Sequence, residues 1–143
     1  MRPQSIITFE RLFLASLVLS LVLAALSFEQ IERAAAAEPG MQQLGLGSGF
    51  LIGTLAVSYA VYLLLWYLIA RKAVGLAKWV LTLFVALGVL FSLPSMLQAP
   101  MGLTMLLSLA AYALEVAAVV YLFRADANAW FRGEHSSDRS TLD

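Results

Sequence analysis

The sequence predicts an all-α integral membrane protein: one domain built as a four-helix transmembrane bundle, with both termini on the cytoplasmic side. Three observations predict it. First, hydrophobic residues make up 62% of the 143-residue chain and charged residues only 13%, whereas soluble domains average ~45–50% and ~25%. A 15.5 kDa soluble globule with mean hydropathy +0.86 leaves too much surface exposed to hide that excess. Second, the apolar residues fall into four runs, each close to the ~20 residues that cross a ~30 Å hydrocarbon core. Third, with the N-terminus inside, Arg2, Arg11, Arg71, Lys72, Lys78, Arg124, Arg132 and Arg139 are cytoplasmic and Arg33 alone is outside. That asymmetry is the positive-inside rule.

Residues 12–28 carry no charge. Extended back to Ile6 they give a first span over 6–28, with Ser5 as the expected N-cap and Glu10 tolerated in the early turns by the helix dipole. A signal peptide is the competing reading, with Arg2 and Arg11 as its basic region and Ala34-Ala35-Ala36 as a cleavage site. The apolar run is longer than the ~7–15 residues of a signal-peptide core, which favours an uncleaved anchor. A polar loop over 29–44 follows, helical through Ala37 until Pro39-Gly40 stops it.

The second span is expected over 46–70 and ends at Arg71-Lys72. Gly45, Gly49 and Gly53 stand at spacing four near its start, two overlapping GxxxG steps that let another backbone approach closely. Internal packing is the favoured use of these glycines, ahead of a dimer face. Residues 79–114 are uncharged, too many for one crossing. Pro94 and Pro100 divide them into a third span over 76–97 and a fourth over 102–123. A juxtamembrane helix is expected to run on to about 132 and lay Trp130 and Phe131 at the interface. The polar segment 133–143 lacks an apolar pattern and is expected to be a disordered cytoplasmic tail.

Glu115 is the one ionisable side chain deep inside an apolar run, ~4 Å past the midpoint of the fourth span at ~1.5 Å per residue. A carboxyl group at that depth costs ~2.5–3.5 kcal/mol on insertion scales, so it should face protein or water. Thr104, Ser108 and Tyr112 precede it on roughly one helix face. The second span carries a matching stripe of Thr54, Ser58 and Tyr62 at spacing four, and the third adds Thr82 and Ser92. The two stripes are expected to face one another, because hydroxyl groups in lipid need partners. Three roles follow for Glu115: a proton or cation site, a structural carboxyl bonded to a tyrosine or a backbone carbonyl, or an anchor for a basic group on another subunit.

The net charge is zero, which gives no reason to expect a nucleic-acid partner. The chain has no cysteine, and its one histidine, His135, lies in the polar tail, so no metal or other cofactor is expected. Neither a phosphate-binding loop, a nucleophile elbow nor a carboxylate dyad appears. The expectation is a non-enzymatic accessory or oligomerising subunit. It would meet the lipid bilayer and either another membrane subunit or its own copy through helix–helix contacts. The alternative is a small proton-coupled carrier using Glu115.

The opening RPQSIITFERLFLASLVLS (2–20) and the ending YLFRADANAWF (121–131) resemble the ends of small bacterial inner-membrane proteins of unassigned function. In those, too, a last span runs into a short segment closing on Trp-Phe. The resemblance covers about thirty residues. It implies a multi-pass protein of the bacterial cytoplasmic membrane and brings no activity with it.

Overall fold

The computed structural model describes residues 2–98 and 101–133. Pro100, His135 and all of the expected polar tail except Gly133 lie outside the described residues. Those described form seven helices: α1 (Gln4–Leu26), α2 (Phe28–Ala37), α3 (Pro39–Gln43), α4 (Ser48–Ala70), α5 (Gly75–Gln98), α6 (Leu103–Tyr121) and α7 (Ala125–Arg132). No strand occurs among the described residues. Four helices, α1, α4, α5 and α6, are long and apolar enough to cross a membrane.

Local chemistry sets several of the helix ends. α2 stops at Ala37 because Glu38 precedes a proline and is held extended (φ −74°, ψ 119°). Pro39 then opens α3 at its first turn, where its missing N–H costs nothing. The helix expected over 76–97 is α5, which runs through Pro94 to Gln98. The proline comes in the final turns, and membrane helices tolerate it because the freed carbonyl finds other partners.

The four long helices pack mostly toward one end. α1 lies along α6, α4 packs on α5 and on α1, and α5 packs on α6. Ile6, Phe9, Phe13 and Leu17 of α1 are buried at helical spacing, as are Ala77, Leu81 and Val85 of α5. They meet Leu65 and Ile69 from the end of α4 and Ala118 and Leu122 from the end of α6. Small residues allow the close α1–α6 approach: Ser16 on one side, Ala111 and Ala118 on the other, all buried. The Ser16 hydroxyl donates to the Phe13 carbonyl at 2.7 Å, so its burial leaves no unmet polar group.

α7 closes this packed end. The Asp126 carboxylate accepts from the Ser5 hydroxyl at 2.6 Å and from the Ser5 amide at 3.1 Å, bonding the first turn of α1. Ser5 is therefore not the N-cap. Pro3 holds that position without a side-chain cap bond, and the acceptor comes from the far end of the chain. Trp130 Nε1 donates to the Ile69 carbonyl in the last turn of α4 at 3.3 Å. Lys78, buried at the start of α5, donates to Asn128 Oδ1 at 2.9 Å and lies over the rings of Phe123 and Phe131, 4.8 and 5.0 Å from their centroids. Trp130 and Phe131 thus pack on the bundle's core.

Glu10, expected in the early turns where the helix dipole tolerates it, binds two cations: Arg2 at 2.6 Å and Arg71 at 3.2 Å. The Arg71 bond joins the start of α1 to the loop after α4.

Candidate functional site

The packed half stops at a layer of aromatic rings. Phe9 stacks on Phe13 with centroids 5.4 Å apart, Phe13 reaches Tyr62 at 6.1 Å, and Tyr62 meets Phe84 edge-on at 6.4 Å. Beyond that layer the helices separate and enclose a cavity of about 340 Å³. All four long helices line it: Ser20 from α1, Tyr59 and Tyr62 from α4, Gly88 from α5, and Ser108, Tyr112 and Glu115 from α6.

Glu115 is half-buried in this wall. Among the described residues no hydrogen bond or ion pair closes on its carboxyl group. Tyr112, one turn earlier, is engaged elsewhere: its hydroxyl donates to Ser92 Oγ of α5 at 2.5 Å. The Ser20 and Tyr59 hydroxyls pair at 3.0 Å, joining α1 to α4 at the cavity's edge. No group of three or more His, Cys, Asp or Glu side chains that could hold a metal ion occurs among the described residues. No known protein family, curated protein or solved structure matches this chain. What the site can do therefore follows from its own chemistry.

Five of the residues singled out from sequence line the same cavity: Glu115, Tyr112, Ser108, Tyr62 and Ser58. Two do not. Thr104 is exposed and lines a neighbouring cavity of about 560 Å³, which shares Ser108 and Tyr112 with the first and extends toward Gln30 and Met101. Thr54 sits on the outer surface of α4, its hydroxyl donating to the Phe50 carbonyl at 2.9 Å.

The expected direct seam between the two polar stripes is not formed. α1 makes the main contact with α6, and the stripes share a cavity. The hydroxyl argument fails for a physical reason: Ser58 and Ser108 donate to carbonyls of their own helices, Thr54 and Thr104, each at 2.8 Å. Thr82 does the same to Lys78 at 2.7 Å. Such back-bonding satisfies a hydroxyl without a second helix.

Ser20 and Tyr59 were missed. Tyr59 is one residue off the Thr54–Ser58–Tyr62 row and so points ~100° away from Ser58. The signal for Ser20 was its spacing of four from Ser16 in an otherwise apolar span.

The glycines also part company. Gly45 lies before α4 in a left-handed turn (φ +65°), a conformation that a residue without Cβ adopts freely. Gly49 and Gly53 are inside α4, with nothing within 4 Å of where a Cβ would stand. Internal packing, the use favoured from sequence, is not what the chain makes of them.

Proposed function

We propose that the protein is a multi-pass, non-enzymatic subunit of a bacterial cytoplasmic membrane that acts through contacts between membrane helices. The observation that carries this reading is the unpartnered N-terminal half of α4. The buried residues of α4 are Leu65, Ile69 and Ala70, all in its last turns, while Gly49, Phe50, Gly53, Thr54 and Val57 are exposed. Lipid does not drive helices together by hydrophobicity, so association depends on backbones that can approach closely. Gly49 and Gly53 offer that surface to a second copy of α4.

Orientation has its own support. Arg2, Arg11, Arg71, Lys72, Lys78, Arg124 and Arg132 belong to the end where α1 begins and α7 packs, and Arg33 to the other. By the positive-inside rule the α7 end is cytoplasmic.

Because the chain has no native cysteine, cross-linking is clean. Gly53→Cys is expected to give a disulfide-linked dimer in native membranes under mild oxidation, and Ile52→Cys, also exposed on α4 but turned ~100° away, is not. If neither variant cross-links, or both do so equally, self-association through this face is wrong.

A second reading is favoured by Glu115, a carboxyl group in a cavity within the spans with no partner of its own. A group so placed is costly and marks ion or proton pathways in membrane proteins. In this reading the protein is a small proton-coupled carrier. Glu115→Gln is expected to abolish substrate-coupled proton movement in proteoliposomes while leaving thermal unfolding unchanged.

A further inference from the structure

We propose that the Glu115 cavity and the apolar groove beside it form one site for a monovalent lipophilic cation, an ammonium head bearing an alkyl chain. The proposal deepens the carrier reading above and rests on it for function, though not for binding.

Charge decides the head group. Among the described residues, apart from the hydroxyls of Tyr59, Tyr62 and Tyr112, Glu115 is the only ionisable group lining the cavity. An anionic ligand would meet a carboxyl group and no cation. A divalent metal would want several carboxylate or carbonyl oxygens, and one carboxyl group does not supply them. A single positive charge matches the wall. The three tyrosines add to the match, because aromatic rings attract ammonium groups most strongly where water is excluded. At about 340 Å³ the cavity is at the small end for ligand sites and suits a head group rather than a whole amphiphile.

Space decides the tail. Between α1 and α4 runs an apolar groove of about 700 Å³, with Leu21, Ala25 and Phe28 on one side and Ile52, Ala56 and Leu63 on the other. Leu21 to Ala25 span ~6 Å along α1 at ~1.5 Å per residue, and Phe28 at the start of α2 extends the groove beyond them, room for the body of an alkyl chain. Leu55 and Tyr59 line both the groove and the cavity, so the two spaces adjoin. Leu21 and Ile52 are more than half exposed, at 56% and 55%, and they face the side from which lipid would approach. The ligand therefore reaches the site from within the bilayer. At the junction stands the Ser20–Tyr59 hydroxyl pair at 3.0 Å, a bond the chain must displace to thread its head toward Glu115.

The test is saturable binding of radiolabelled dodecyltrimethylammonium to the full chain in phosphatidylcholine nanodiscs, with binding to empty nanodiscs subtracted. A single class of site is expected. Glu115→Gln should weaken it about tenfold or more, since the lost partner is a desolvated charge. Ala56→Trp, a change at an exposed position of α4, should fill the groove and weaken binding severalfold without altering thermal unfolding. Dodecyl sulfate, the same chain with the opposite charge, should not compete. Absence of a saturable component, unchanged affinity in either variant, or competition by dodecyl sulfate overturns the proposal. Binding without Glu115-dependent proton flux keeps the site and removes the carrier reading. Proton flux with no binding of the probe removes the site and keeps the carrier.

Discussion

Asp126 bonds Ser5, in the first turn of α1 and 121 positions earlier in the chain. Free amides and the positive end of the helix dipole both favour a carboxylate there. The Ser5 hydroxyl, and after it the Ser5 amide, hold the Asp126 carboxyl group below its ordinary pKa of 3.8. Because the folded value is depressed, the stabilisation is fully present above the ordinary carboxylate pKa and is lost as pH falls through the lower folded value. Gln4, Thr8 and Arg124 surround the same spot. Of these only Arg124 is charged. Asp126→Ala is expected to cost about 1 kcal/mol at neutral pH, the usual loss for a helix cap. Asp126→Asn keeps an acceptor and should remove the acid-side fall in stability; unfolding in nanodiscs between pH 6 and pH 3 reads both. Ser5 illustrates what a sequence conceals at this scale. A serine before an apolar run looks like a cap for its own helix, and nothing nearby discloses that its partner is on α7.

At the scale of the element, hydropathy located all four spans to within about two residues, because lipid selects for uninterrupted apolar length. The third, expected over 76–97, already ran past Pro94, and α5 continues to Gln98. The pairing of helices was less legible. Helices joined by short loops do pack together, α4 on α5 and α5 on α6. The close contact of α1 with α6, however, depends on Ser16, Ala111 and Ala118, and small residues are common throughout such helices. The candidate site was half visible for the same reason. Glu115 is conspicuous in any apolar run, but Ser20 and Tyr59 enter the cavity only because α1 sits where it does. α7 offers a direct measurement. Trp130→Phe keeps the ring against the end of α4 and deletes the N–H that reaches the Ile69 carbonyl. A loss of about 1 kcal/mol is expected, with faster hydrogen exchange confined to the last turn of α4.

Over the whole molecule, packing and charge are both polarised. The buried core clusters where α1 begins and α7 returns, and the opposite half opens into cavities and exposed helix faces. The basic residues crowd the packed end, and the Glu29–Arg33 pair, at 3.1 Å, marks the open one. Orientation can be read by labelling. Gln42→Cys should react with a membrane-impermeant maleimide in spheroplasts, and Lys72→Cys only after lysis. The reverse pattern would invert the orientation and place the open half in the cytoplasm. Polarity of packing also has a consequence for how the protein is made. While a ribosome is still extending the chain, α1 is already in the bilayer, yet its first turn lacks Asp126, and the last turn of α4 lacks Trp130. Until α7 has been synthesised the Glu10–Arg71 ion pair joins these two ends without the bonds from Asp126 and Trp130, so the newborn protein is a loosely held set of helices that is latched only when α7 arrives. A transcript cut short before Ala125 would thus yield a chain fully inserted but unlatched, the kind of substrate that membrane proteases remove.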